Sequence, residues 1–363
     1  MARRILLAGG GTAGHIEPAL AVADELRKLQ PDLICEFLGT DGALEQLLVP
    51  QRGYQLRIIK KAVLPRSLDL KAFLFPFRLL DSVRQAMKAV NGADLLIGFG
   101  GYVAAPAYIA AFIKRVPIVI HEANAKPGWA NRLGKNFAKL VAVNFESVRR
   151  EWPGSVFTGM PIRASISRLA RAQDLQEIRR ESCKSWSLNP DLPIVAIFGG
   201  SQGSVHINQV VAEALPSISD LQIVHAVGIK NPLPDSINNY RPFPYFHDMA
   251  AIYASADLLI TRSGAVTCSE IFALGKYAIL IPLPHGNGEQ LDNAQALAQK
   301  GSALVITDQD FTADWLVENI NKALDNALKH KAVPGVENLD AAQRIAKLAL
   351  QVMGNTAVTE ENY

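Results

Sequence analysis

The stretch RILLAGGGTAGHIEPALAVADELRKL occupies residues 4–29. Residues 4–8 form a short apolar run, the pattern of a parallel strand covered on both faces. Glycines at 9, 10, 11 and 14 follow at once, where the chain must turn tightly. From residue 18 to 29 the apolar side chains fall at 19, 22, 23, 26 and 29, a helical period. Strand, glycine turn and helix in that order predict the first unit of a doubly wound α/β domain. The arrangement returns 190 residues later, where IVAIF at 194–198 runs into GGSQG at 199–203.

Outward from these two anchors the alternation continues. Short apolar runs at 34–38, 95–99, 118–120 and 140–143 predict further strands, with a helical stretch at 68–90 between two of them. The second half repeats the pattern at 223–226, 258–261, 279–281 and 304–306. A polar, arginine- and glutamate-rich stretch at 168–189 separates the halves. The reading is therefore α/β with two Rossmann-like domains, 1–164 and 165–336. A last segment, 337–363, holds a helical period at 340–353, which the sequence permits to pack back across the domain junction.

At 363 residues, 49% hydrophobic and 20% charged, the composition excludes a disordered or collagenous chain. Three scattered cysteines make no disulfide scaffold or zinc knot and suit a reducing compartment. Lys+Arg 37 against Asp+Glu 34 gives a formal charge of +3, which does not demand a nucleic acid, and none is expected. The two N-terminal arginines resemble the start of a leader, but the apolar run stops at the glycines and reads as a strand. The longest unbroken apolar run, 103–113, is far short of the ~20 residues a bilayer span needs.

Taken alone, the first loop has the G-x-G-x-x-G form of a dinucleotide site, with Asp41 as the ribose ligand. The spacing to Asp41 is long for that motif. His15, at the start of the helix, is the candidate general base, because a helix N-terminus disfavours the imidazolium. The second loop, with the Ser201 hydroxyl and the N-terminus of the helix from Ser204, suits a phosphate or diphosphate. Two such loops fit a two-substrate transferase better than a single-cofactor dehydrogenase. Glu270, one or two turns into the helix after RSGAVTCSE, can accept both hydroxyls of a ribose. His285, Glu289, Gln290 and Asn293 form a polar loop entering a helix, suited to sugar hydroxyls. His121-Glu122 begins like a zincin motif but lacks the second histidine, and Asp308-Gln309-Asp310 is a weak metal motif, so no metal site is expected.

The first half also carries a basic and apolar surface. Lys60, Lys61, Arg66, Lys71 and Arg78 surround Phe73, Phe75, Phe77 and Leu79, with further basic groups at Lys114-Arg115 and at Lys135 and Lys139. Interior packing is one reading of residues 72–80. Contact with an anionic membrane surface through Lys60, Lys71, Phe73, Phe75, Phe77 and Leu79 is the other.

Seven segments in this order resemble the MurG family of bacterial cell-wall glycosyltransferases along the whole chain. They are GGGTAGH at 9–15, GFGGYVAAP at 98–106, HEANAKPG at 121–128, TGMPIR at 158–163, GGSQG at 199–203, RSGAVTCSE at 262–270 and GNGEQLDNA at 286–294. The resemblance implies a glycosyltransferase B-type fold with an interdomain cleft, an acceptor- and membrane-facing first domain, and a donor-binding second domain. It implies inverting, metal-independent transfer of N-acetylglucosamine from UDP-N-acetylglucosamine to the C4 hydroxyl of lipid I, giving lipid II for peptidoglycan, and no cofactor. Carried over, Thr12, Ala13 and Gly14 bind substrate and His15 is the base. Asn124 and Gln290 contact the donor sugar, with Glu289 beside Gln290. Arg163 and Ser201 serve the nucleotide and diphosphate, Phe246 lies beside uracil, and Glu270 holds the ribose.

The family also implies a peripheral protein on the cytoplasmic face of the bacterial plasma membrane, with a cell-wall synthesis or division complex as partner. Ala13, Ala123 and Glu289 depart from the commonest family pattern, while His15 and the nucleotide anchors do not. The rival readings are a B-type UDP-sugar transferase with another acceptor, an NAD(P)-linked oxidoreductase, and a non-enzymatic lipid-surface protein.

Overall fold

The computed structural model describes residues 3–42, 44–61, 70–172, 174–285, 287–331 and 334–354, and the backbone alone for 70–74. The chain divides into two units, Met1–Arg163 with Glu337–Tyr363, and Ala164–Val336.

The first unit holds a parallel sheet of β1 (Arg4–Gly9), β2 (Ile34–Thr40), β3 (Gln55–Ile59), β4 (Leu95–Gly100), β5 (Ile118–Glu122), β6 (Leu140–Val143) and β7 (Val156–Phe157). Their spatial order is β3-β2-β1-β4-β5-β6-β7. Each apolar strand serves both faces. Ile5 and Leu7 pack into one core, while Leu6 and Ala8 pack into the other. The C-terminal helix Ala341–Met353 belongs to the first of these cores, where Ile345 and Leu348 join Ile16 and Leu20. Asn338 and Arg344 fasten it further, Asn338 Oδ1 accepting from Met160 N (2.9 Å) and Arg344 donating to the Thr158 carbonyl (2.7 Å).

The first helix runs Ala13–Leu29, so it begins inside the glycine loop and not at residue 18 as the proline suggests. Pro18 lies inside this helix and lacks the N–H that would reach the Gly14 carbonyl, so the helix continues through it with one hydrogen bond fewer.

The second unit repeats the plan with β8 (Ile194–Phe198), β9 (Gln222–Ala226), β10 (Tyr240–Phe243), β11 (Leu258–Thr261), β12 (Ala278–Leu280) and β13 (Ala303–Val305). The order is β10-β9-β8-β11-β12-β13, again parallel. In both sheets the strand order reverses beside the first strand, between β1 and β4 and between β8 and β11. At such a switch point the connections leave in opposite directions and open a crevice at the carboxyl ends of the strands. The glycine loops after β1 and β8 lie at these two points.

One buried carboxylate ties three strands of the first sheet. Glu36 on β2 accepts from Arg4 Nη1 (2.6 Å) and from Arg57 Nε (2.7 Å) and Nη2 (3.1 Å). The Arg57 hydrogen bonds hold its carboxyl below the ordinary 4.5, burial opposes them, and Arg4 adds to the lowering. A depressed native value means the stabilisation is full above the unfolded value and disappears as pH falls through the native one. Glu36→Gln is therefore expected to lower the urea midpoint near neutral pH and to converge with the parent as pH falls through the depressed native value. Parallel urea titrations across that range check this; a gap that widens on acidification contradicts it.

Candidate functional site

At the first switch point His15 sits in the first turn of its helix, half-buried, with Nδ1 2.8 Å from the Phe99 carbonyl. A carbonyl can only accept, so the proton is assigned to Nδ1 and the lone pair to Nε2. Gly100 and Gly101 continue from Phe99 with φ of 90° and 82°, the left-handed region. A side chain at 100 would crowd His15 Cε1 at 3.1 Å, and one at 101 would overlap the Gly10 carbonyl. The loops after β1 and β4 thus touch, and glycine permits it. Thr12 is exposed at the helix N-cap with no capping bond from its side chain, and Ala13 and Gly14 are half-buried beside it.

A carboxylate that the motif reading missed holds this loop. Glu45 is fully buried and accepts from Gly11 N (3.0 Å), Thr40 N (2.8 Å) and Thr40 Oγ (3.1 Å). Asp41, the ribose ligand of the dinucleotide reading, instead accepts from Gly42 N and Gln46 Nε2 in its own turn. The Gly11 amide that would meet a pyrophosphate already has a protein acceptor, which removes the main support for an NAD(P) site. Nothing in local spacing announces Glu45, because its partners, the Gly11 amide and Thr40, belong to two other elements.

At the end of β5, His121 and Glu122 are fully buried, not metal ligands. His121 Nε2 donates to the Gly159 carbonyl (3.1 Å), and burial pushes its value down to about 4. Glu122 accepts from Asn124 N (2.9 Å), Asn124 Nδ2 (3.3 Å), Gly128 N (3.1 Å) and Asn131 Nδ2 (2.9 Å). Burial raises its carboxyl, and these donors pull it back. Asn124 is thereby fixed at the strand end with its amino group toward Glu122. Arg163 lies near the first helix, Nε 3.2 Å from Glu17.

The second switch point gathers the nucleotide candidates. Ser201 is half-buried in the loop between β8 and the helix Val205–Ala214, whose N-cap Ser204 accepts from Ile207 N. Phe198, the last residue of β8, packs against Phe246 (centroids 6.2 Å) and Tyr253 (6.4 Å). The Phe246 ring is buried, also against Phe243, so this residue can offer a ligand only its backbone. Tyr253 Oη donates to Glu270 Oε2 (3.1 Å), and Glu270 is buried in the helix Ala265–Ala273 and not on a surface. Ser263 Oγ donates to the Gln290 carbonyl (2.8 Å), which brings the start of helix Glu289–Ala298 to the same place. Gln290 Oε1 accepts from Leu283 N (3.0 Å), so its amino group is the end able to donate. Glu289 is engaged locally, its carboxylate accepting from Asn287 N (3.1 Å).

The Asp-x-Asp motif has other work. Asp308 pairs with Arg262, whose guanidinium also reaches Ser204 Oγ (2.7 Å), and Asp310 accepts from Thr307 Oγ. Among the described residues no group of three or more His, Cys, Asp or Glu could hold a metal ion.

On the membrane candidates, Phe77 is 64% exposed, while Phe75 and Leu79 are half-buried on helix Leu70–Val90. The side chains of Lys71 and Phe73, and Arg66, lie outside the described residues. Lys60, exposed, pairs with Asp81 (2.9 Å), and Lys61 lies over the Tyr102 ring. Phe112 and Ile113 are also exposed, and Arg84, Lys88 and Lys114 line one surface cavity. Among the described residues no helix is long and apolar enough to cross a membrane.

Comparison with known proteins agrees across the chain. The N-terminal domain of glycosyltransferase family 28 matches residues 5–143, and its C-terminal domain matches 194–349. The chain is 46% identical to the UDP-N-acetylglucosamine--N-acetylmuramyl-(pentapeptide) pyrophosphoryl-undecaprenol N-acetylglucosamine transferase of Corynebacterium diphtheriae, over 97% of this chain and 98% of that protein. The protein of the same name from Streptomyces avermitilis is 43% identical over 87% and 88%. Among solved structures, Acinetobacter baumannii MurG superposes with a TM-score of 0.67 at 26% identity, covering 96% of this chain and 99% of that one.

Proposed function

The chain belongs to the MurG-type transferases of glycosyltransferase family 28, and from that premise we infer its reaction. It transfers N-acetylglucosamine from UDP-N-acetylglucosamine to the muramoyl-pentapeptide unit of lipid I, giving lipid II and UDP. The observation that carries this conclusion is full-length similarity to proteins named for that reaction.

The residue roles follow from chemistry at the two switch points. His15 is the general base: its Nε2 takes the proton of the acceptor C4 hydroxyl as that oxygen attacks the anomeric carbon and the bond to UDP breaks. Direct displacement of this kind inverts the anomeric centre. The glycine loop at 199–203, Ser201 and the helix N-terminus beyond it stabilise the leaving diphosphate. The Phe246 backbone meets uracil, Glu270 the ribose hydroxyls, and Gln290 and Asn124 the sugar. Arg163 serves the diphosphate in exchange for Glu17, and Thr12, Ala13, Gly14 and Glu289 complete the substrate contacts. No metal enters this reading, since Asp308 and Asp310 already hold Arg262 and Thr307.

The undecaprenyl tail of the acceptor requires the protein to work at a bilayer. Docking on the anionic cytoplasmic leaflet is supported by exposed Phe77 and Phe112 and by the basic groups Arg84, Lys88 and Lys114 on neighbouring helices. Assembly with other cell-wall synthesis or division proteins would bring lipid I to this surface.

His15→Ala is expected to lower kcat on lipid I by ~10²–10⁴ while leaving UDP binding nearly unchanged. Radiolabel transfer and UDP calorimetry on the same preparation check it; near-parental kcat removes His15 as the base. For docking, neutralising Arg84, Lys88 and Lys114 to glutamine should weaken binding to anionic vesicles on the order of a hundred-fold at low salt, from roughly 1 kcal/mol per charge. Activity on lipid-embedded acceptor should fall more than on a short-chain analogue. Unchanged vesicle binding by the folded variant rejects this surface.

A further inference from the structure

We propose that Asn231 is a positioning residue for the diphosphate site of the second unit, holding the Gln202 carbonyl of the glycine loop turned away from the anion. This rests on the reading of residues 199–203 as the diphosphate loop. An anion needs amide hydrogens around it and carbonyl oxygens kept out. Glycines of positive φ let a loop take that shape, and Gly200 and Gly203 have φ of 88° and 73°. The same freedom lets a peptide group turn over, which would aim a carbonyl at the anion. In the Gln202–Gly203 peptide both ends are held. The Gly203 N–H donates to the Gly200 carbonyl (3.0 Å), and the Gln202 carbonyl accepts from Asn231 Nδ2 (3.4 Å).

Asn231 is placed by the turn that follows β9. Its backbone N–H closes that turn on the Gly228 carbonyl (3.0 Å), and its Nδ2 also donates to the Val227 carbonyl (2.6 Å). The turn and the glycine loop meet backbone to backbone: a side chain at 203 would overlap the Val227 carbonyl, and one at 228 would overlap the Gln202 carbonyl. Val227 is fixed in turn. Its N–H donates to the Phe243 carbonyl (3.0 Å), and its own carbonyl accepts a second hydrogen bond from Asn208 Nδ2 (2.8 Å), on the helix after the glycine loop. Asn208 Oδ1 accepts from His225 Nε2 (3.1 Å), and His225 Nδ1 accepts from Tyr240 Oη (3.0 Å). A carbonyl can only accept, so Val227 sets the Asn208 amide, and Asn208 sets the His225 tautomer. Burial pushes His225 down to about 4, so the ring stays neutral at neutral pH.

In the sheet β9 lies on the side of β8 away from β11. The turn therefore braces the glycine loop from the flank opposite the switch point, and Asn231 acts on the diphosphate through the loop. The effect is selective. The Phe246 backbone and Glu270, on other segments, read uracil and ribose, so a loosened loop weakens ligands that carry the diphosphate and spares the nucleoside. Charge collects on the leaving diphosphate in the transition state, so turnover suffers with it.

Binding of UDP and of uridine to full-length Asn231→Ala and Asn231→Leu tests this. Leucine keeps the shape of asparagine and loses its donors, so both variants should behave alike. UDP affinity should fall about ten-fold, the scale of one or two lost hydrogen bonds, with uridine affinity and the urea midpoint parental and kcat reduced. Parental UDP affinity in the folded variants, or an equal loss for UDP and uridine, overturns the proposal. Ser201→Glu separates it from the reading beneath it, because a carboxylate in the loop should repel UDP and spare uridine. If Ser201→Glu binds UDP as the parent does, the loop is not the diphosphate site and the proposal falls with that reading. If Ser201→Glu loses UDP and the Asn231 variants do not, the loop stands and the role of Asn231 alone has failed.

Discussion

Parallel pairing of β1 with β4, and of β8 with β11, is the constraint on which each unit's chemistry depends. A parallel pair cannot be joined by a hairpin, so every strand must hand its chain to a crossover at its carboxyl end. Where the strand order reverses, two such handovers diverge and leave backbone amides facing open space. In the first unit that place receives His15 and Gly100; in the second it receives Ser201 and the loop leading to Glu270. The motifs work because the sheets deliver them there.

Irregular loops at these points carry backbone groups that no ladder satisfies. The protein meets the need with buried charged side chains used as hubs. Glu45 takes the amides of Gly11 and Thr40, Glu122 takes those of Asn124 and Gly128, and Arg262 gives its hydrogens to Ser204, Asp308 and the Ile281 carbonyl. A buried charge that meets several partners of the opposite kind is tolerable, whereas one deprived of them is costly. These hubs therefore fix loop shape firmly without contributing long stretches of regular structure.

The central strands were legible in sequence because burial on both faces demands an unbroken apolar run, as in Leu95–Phe99 or Ile194–Phe198. The edge strands β3, β7 and β10 were not. Gln55 and Arg57 on β3 face solvent and read as loop, and β7 is only two residues long. The helix start at Ala13 was hidden by Pro18, a residue that usually marks a helix boundary but here lies inside the helix. The glycine loops and Glu270 were visible as motifs next to strand ends. Glu45, Asn131 and Tyr253 were not, since each acts on a different element of the fold: Glu45 on the loop after β1, Asn131 on the end of β5, Tyr253 on the helix carrying Glu270. The ion pair of Lys60 with Asp81 was not legible either, because its partner lies on the next helix and composition alone cannot show the pair.

The most direct measurement follows the sugar. Protein incubated with UDP-N-acetylglucosamine labelled in the sugar and with purified lipid I should move label into the lipid fraction, one UDP appearing for each lipid II formed. Release of UDP with the label left in water, or transfer that proceeds equally well without lipid I, would contradict the account.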